Sequence, residues 1–325
     1  MPPRPFRSGG PVALLTLWLA LTQLHPVLGR EGWHPSFAAA QTASARSGKD
    51  IFLCFTGREW SAVCRQFEQH FLSDPGFTAM LGTHYEPVQL DVSAFREVTG
   101  KEEEPLPEEA RLKLQFEVTT FPIVFLLGSD VRPYALTGFR PGGTESYARH
   151  LEKLREGRAR QEALLARARQ SDGLRRAELL AQSIPDIGAL RMARFHGDLM
   201  REVVKLDPDN ATGFARDFEL KLGDYEYVQS MREMDRDLRW SEMLTLTDDY
   251  IEKFKLAGSE LQAALMNRFD ILRRQQNFPE MVLTLDEVYR INPYNPHGRQ
   301  AQQLLAKMAR QIEEQSLLES LQNQE

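Results

Sequence analysis

Four residues, Ser61-Ala62-Val63-Cys64, have the spacing of a dithiol redox site, with two reactive groups flanking two residues where a helix begins. A thiol at that position exchanges with disulfides because a helix N-terminus favours its thiolate. Here a hydroxyl stands first. Ser61 does not ionise near neutral pH and forms no mixed disulfide, so no dithiol cycle can run through this pair. A nucleophilic serine would need a base held beside it. His70 lies about two and a half turns further along the same expected helix and cannot reach back. Ser61 is therefore read as a helix cap that accepts backbone N–H groups. The chain has two cysteines, Cys54 and Cys64. Each reads most simply as an inert buried thiol. A Cys54–Cys64 disulfide behind the motif is the sharper alternative, constrained by the short reach of an S–S bond.

Other chemistries find little support. The seven histidines are scattered, with none at ligand spacing from a cysteine, so no metal is expected. The two glycines of "RPGGTE" read as a turn into a helix rather than a phosphate cradle, and no cofactor is implied. The formal charge is −6, and −8 without Arg4 and Arg7, which argues against a nucleic-acid partner.

The elements that must hold the motif follow from patterning. Residues 1–29 read as a signal peptide, with two arginines before an apolar stretch too short to span a bilayer comfortably. The expectation is an exported chain, periplasmic or secreted, with no membrane insertion after cleavage. "WHPSFAAAQTASARSGK" predicts a helix closing at Gly48. "DIFLCFT" predicts a buried strand, and Ser61 opens a helix to about Phe71 with Val63, Phe67 and Phe71 on one face. Asp74 caps a helix with Pro75 at its first position. "YEPVQLDV" alternates as a second strand, and residues 93–109 form a charged loop. A helix in "PEEARLKLQF", a strand from Pro122, its partner in "RPYALTGF" and a helix capped by Thr144 complete the front half. Beyond residue 157 only helical periodicity remains. There the Arg-rich stretch 155–170 reads as a solvated helix face, and Pro208 and Pro293 each follow an amphipathic helix.

Three segments in this order, "FTGREWSAVCRQFEQHFLSDPGF", "VTTFPIVFLL" and "GFRPGGTESYARHL", resemble the thioredoxin-like family, in its exported bacterial form with a "FTG…WCxxC" site. The resemblance covers roughly residues 33–156. It implies an α/β thioredoxin-like domain over residues 30–157, a mixed sheet flanked by helices; the helical periodicity beyond it predicts an all-α helical-hairpin domain over residues 158–325, tetratricopeptide-like or an irregular bundle. "NFPEMVLTLDEVYRINPYN" looks like half of a tetratricopeptide repeat.

The resemblance also implies roles. Ser61 takes the place of the nucleophilic Cys and Cys64 that of the resolving one. Trp60 flanks the turn, and Pro122, after Phe121, is the cis-proline facing it. Cys54 falls where many relatives carry a buried proton-relaying Asp. Trp60, Ser61, Phe121 and Pro122 would then line a groove for an extended peptide. The leading expectation is a non-catalytic scaffold with a protein or extended-peptide partner. One alternative is an oxidoreductase or isomerase-like protein acting through Cys64 alone. The other is a purely structural thioredoxin domain supporting the helices.

Overall fold

The computed structural model describes residues 31–96 and 105–322. The segment 1–29, read as a signal peptide, and residues 97–104 of the charged loop lie outside the described residues.

Strand β1 (Asp50–Thr56) is buried at all seven positions. It pairs in parallel with β2 (Tyr85–Asp91) and antiparallel with β3 (Ile123–Leu127). β3 pairs antiparallel with β4 (Pro133–Thr137), giving a mixed sheet of order β2-β1-β3-β4. Alternate residues of a strand point to opposite faces, so β1 feeds two cores. Phe52 and Cys54 join Phe67, Phe71, Phe77 and Tyr147 on one face. Ile51, Leu53 and Phe55 join Phe37, Phe116 and Phe125 on the other.

Helices cover both faces. On the second lie α1 (Phe37–Ser47) and α4 (Glu108–Gln115), the latter after a short 3-10 turn, Ser93–Phe95. α1 is capped by Ser36 and closed by Gly48 at φ 73°, a left-handed position suited to glycine. The helix therefore starts four residues later than Trp33, which instead packs in the first core and donates from Nε1 to Thr78 Oγ1 at 3.0 Å. The first face carries α2 (Ala62–Phe67), a π-helical turn (Glu68–Leu72), α3 (Pro75–His84) and α5 (Gly143–Ala168). The buried stripe of the motif helix is Cys64, Phe67 and Phe71, while Val63 is 44% exposed. Val63, expected on this stripe, instead faces out. Asp74 caps α3 as expected. Thr144 does not cap α5: its hydroxyl donates to Asp74 Oδ2 at 3.1 Å, and Gly142 occupies the cap position.

The boundary expected near residue 157 falls inside α5, which continues without interruption. After it come α6 (Gly173–Ser183), α7 (Ala189–Leu206), α8 (Ala215–Arg236), α9 (Trp240–Phe254), α10 (Gly258–Arg274), α11 (Phe278–Ile291) and α12 (Pro296–Gln322). Each packs on the next. Pro208 and Pro293 fall just past α7 and α11, where a residue lacking an N–H ends a helix cleanly.

The helical region docks on the sheet. Phe195 of α7 packs on Phe116 with ring centroids 5.1 Å apart. Arg191 donates to the carbonyls of Phe116 and Glu117. Glu117, at φ 50° and 7% exposed, receives two 2.7 Å hydrogen bonds from Arg232 of α8. Arg132 grips Asp198 through two 3.0 Å bonds. His196 Nε2–H donates to the Pro133 carbonyl at 2.9 Å, and α7 leaves helical geometry at this residue. The His196 bond occupies the first carbonyl of edge strand β4, which would otherwise be left unpaired.

Two outcomes are expected. Arg232→Ala leaves the Glu117 carboxylate buried without its guanidinium and lowers stability by about 2 kcal/mol in urea unfolding. Burial holds the His196 pKa below its ordinary value, against the opposing pull of the Pro133 carbonyl. Above about pH 6.5 the imidazole is neutral in both folded and unfolded chains and costs nothing. Below it the unfolded chain takes the proton first, so stability falls with pH until the folded pKa is passed. His196→Gln flattens that slope in melts run from pH 7.5 to 5.

Candidate functional site

β1 ends at Thr56, and the chain turns through Gly57–Trp60 before α2. The Ser61 amide donates to the Gly57 carbonyl at 2.9 Å and closes the turn. A Cβ on residue 57 would sit 2.1 Å from the Trp60 ring, so only glycine lets the indole fold back over the strand end. Trp60 Nε1 donates to the Ser93 carbonyl at 3.2 Å. Its ring meets Phe121 edge-on, with centroids 4.9 Å apart, and the Arg96 guanidinium lies 5.2 Å from its centroid.

The loop after β2 pins the same turn. The Glu59 amide donates to Ser93 Oγ at 3.2 Å, and Ser93 Oγ donates to Asp91 Oδ1. Arg58 Nε donates to Asp91 Oδ2. Burial pushes the Asp91 carboxyl upward, but the Ser93 hydroxyl and amide and Arg58 outweigh it and hold the group below the usual carboxylate range. Nothing in the local sequence around Asp91 and Ser93 marked them as part of the site. Their role comes from β2 lying beside β1, so that the two strand ends open side by side.

The motif residues take up capping and packing. Ser61 Oγ accepts from the Cys64 amide at 3.2 Å, the N-cap bond expected of it. Cys64 is fully buried, and its Sγ accepts from the Gly57 amide at 3.3 Å. Cys54 is also fully buried, on β1 among the aromatic side chains of α2, α3 and α5. The two sulfurs are not joined. The disulfide alternative fails because Cys64 turns beneath the motif toward the strand end, whereas Cys54 points into the aromatic core.

The Phe121–Pro122 peptide bond is cis. A Cβ on Gly138 would lie 2.8 Å from the Pro122 carbonyl oxygen, so glycine allows the chain after β4 to pass close behind the proline. Tyr147 Oη holds that passage by donating to the Gly138 carbonyl at 3.1 Å. The structure thus brings Trp60 onto Phe121 and Ser61 onto Cys64. Trp60 and Phe121 form one continuous aromatic wall rather than two separated sides of a groove. Ala62, Val63, Thr119 and Thr120 are exposed near these elements. Among the described residues, no group of three or more His, Cys, Asp or Glu side chains is gathered for a metal ion.

A mixed sheet with a cis-proline ahead of its antiparallel strand β3 and a capped helix after β1 defines a thioredoxin-type fold. The family model for a thioredoxin-like domain matches residues 37–154. A disulfide bond reductase, DsbH of Chlamydia pneumoniae, is 30% identical over 127 residues, spanning 39% of this chain and 75% of that protein. A solved structure described as DsbH oxidoreductase is 29% identical and covers 38% of this chain and 82% of that one, with a TM-score of 0.31. The chain belongs to the thioredoxin-like family, with a distant relation to DsbH and an all-helical region after the matched domain.

Ser61→Ala removes the cap and leaves the Cys64 amide without its acceptor. The expected loss is about 1 kcal/mol of stability in thermal or urea unfolding, with little loss for Ser61→Asp, which retains a capping oxygen.

Proposed function

We propose that the front domain binds extended polypeptide without exchanging disulfides, and that it does so as an exported protein. One observation carries this reading: the first motif oxygen is committed to capping, and the remaining thiol is buried and bonded to the Gly57 amide. A buried thiol in that position cannot attack an incoming disulfide unless the turn opens. The cis-proline segment and the aromatic wall remain, and they suit an extended chain with apolar side chains laid by strand addition. The docked helical region supplies a second surface for the same or another protein partner.

The relation to a disulfide reductase favours a second reading, in which Cys64 alone forms a mixed disulfide after local opening of the turn. Insulin reduction and native-state alkylation separate the two. The binding reading expects no turnover, alkylation of Cys64 only on unfolding, and titratable Trp60 quenching by an unfolded, cysteine-free peptide that weakens in Phe121→Ala. It also expects Ser61→Cys to gain reductase activity, because the turn and helix of a dithiol site are still in place. Turnover by the unaltered chain, or rapid alkylation of Cys64 in the folded state, would overturn it.

A further inference from the structure

The end of α4 is a junction between the helical region and the wall formed by Trp60 and Phe121. Glu117 follows the helix at φ 50°, and the Val118 amide donates to the Lys113 carbonyl at 3.0 Å. A left-handed helix stop of this kind usually takes glycine, because a side chain strains the conformation. Here a glutamate stands, and its carboxylate is engaged from outside the front domain. Arg232 of α8 donates to both carboxylate oxygens at 2.7 Å, and Gln229 Nε2 donates to Oε1 at 3.3 Å. Arg191 of α7 donates to the Phe116 and Glu117 carbonyls, where a helix end lacks intrahelical donors and favours a cation.

On its other side the same turn holds both members of the wall. Lys113 Nζ donates to the Phe95 and Arg96 carbonyls at 2.9 and 2.7 Å. It thereby fixes the backbone of Arg96, whose guanidinium lies over the Trp60 ring. Phe121, which meets that ring edge-on, comes four residues after Glu117. Of the residues between them, Val118 is buried in the second core, while Thr119 and Thr120 are exposed. The path from the turn to the cis-proline is therefore short and has one buried anchor.

We propose that Arg191 and Arg232 are positioning residues for the Trp60–Phe121 wall: by gripping the end of α4, the helical region sets the geometry of the peptide site in the domain before it. What the wall binds rests on the extended-peptide reading, whereas its placement can be read with no peptide present. The consequence is coupling between the two halves. A partner that draws α7 or α8 away from Glu117 loosens the wall and lowers peptide affinity, and by reciprocity a bound peptide favours the docked helices.

Fluorine NMR on the intact chain labelled with 5-fluorotryptophan tests this, with Trp60→Phe identifying the Trp60 resonance. Arg232→Gln and Arg191→Gln are each expected to shift that resonance by several linewidths while the Trp33 resonance, from the first core, stays in place. Arg232→Lys keeps the charge and is expected to shift it less. Affinity for an unfolded, cysteine-free peptide is expected to fall about three- to tenfold in both Gln variants. Leu285→Ala opens a cavity in the far helical core and lowers the melting temperature, yet is expected to leave the Trp60 resonance unmoved. If Arg232→Gln does not fold, Arg191→Gln and Arg232→Lys carry the test. An unmoved Trp60 resonance in the arginine variants, an equal shift in Leu285→Ala, or unchanged peptide affinity would each overturn the proposal. If the unaltered chain binds no peptide, the extended-peptide reading falls, and the fluorine resonances alone decide the positioning.

Discussion

The structure rests on one constraint: a central strand with no exposed side. Every residue of β1 is buried, and its alternating side chains demand an apolar layer on each face. The first layer is built from the motif helix, α3 and α5, all within the front domain. The second is thinner, with α1 and α4, and it is completed by Phe195 from the helical region packing against Phe116. The helical region therefore finishes the core of the domain before it. This explains why the docking residues cluster at Phe116 and Glu117, directly ahead of the segment that leads to the cis-proline.

The same constraint explains how the motif persists without its nucleophile. The Gly57–Trp60 turn is held by Ser93, Asp91 and the Trp60–Phe121 contact, none of which needs a thiol at position 61. Serine supplies the helix cap, and Cys64 supplies a small buried side chain beneath the Gly57 turn. What is absent is a thiol at position 61, and what is kept is the turn and the capped helix.

Much of this was legible in the residues. The order of strands and helices followed from period and from Gly and Pro punctuation. The Ser61 and Asp74 caps followed from side-chain chemistry, and the cis-proline from a family resemblance. Four features were not legible, each because it depends on distant partners. Val63 turns outward because the sheet, not helix periodicity alone, chooses the buried stripe. Thr144, inside α5, turns its hydroxyl to Asp74, a partner 70 residues away. Asp91 and Ser93 became part of the site only when β2 was laid beside β1. The docking pairs Glu117–Arg232 and Arg132–Asp198 join residues more than 60 positions apart, with no local pattern to announce them.

Helix α5 belongs to two neighbourhoods at once. Tyr147 and Leu151 lie in the first core of the front domain, and Ala168 lies in the core of the helical region. Its 26 residues make a rod of about 39 Å with no hinge between these ends. A rod shared in this way transmits torque: a tilt imposed at one end arrives at the other with little slack. Any cut between residues 151 and 168 severs the strut itself.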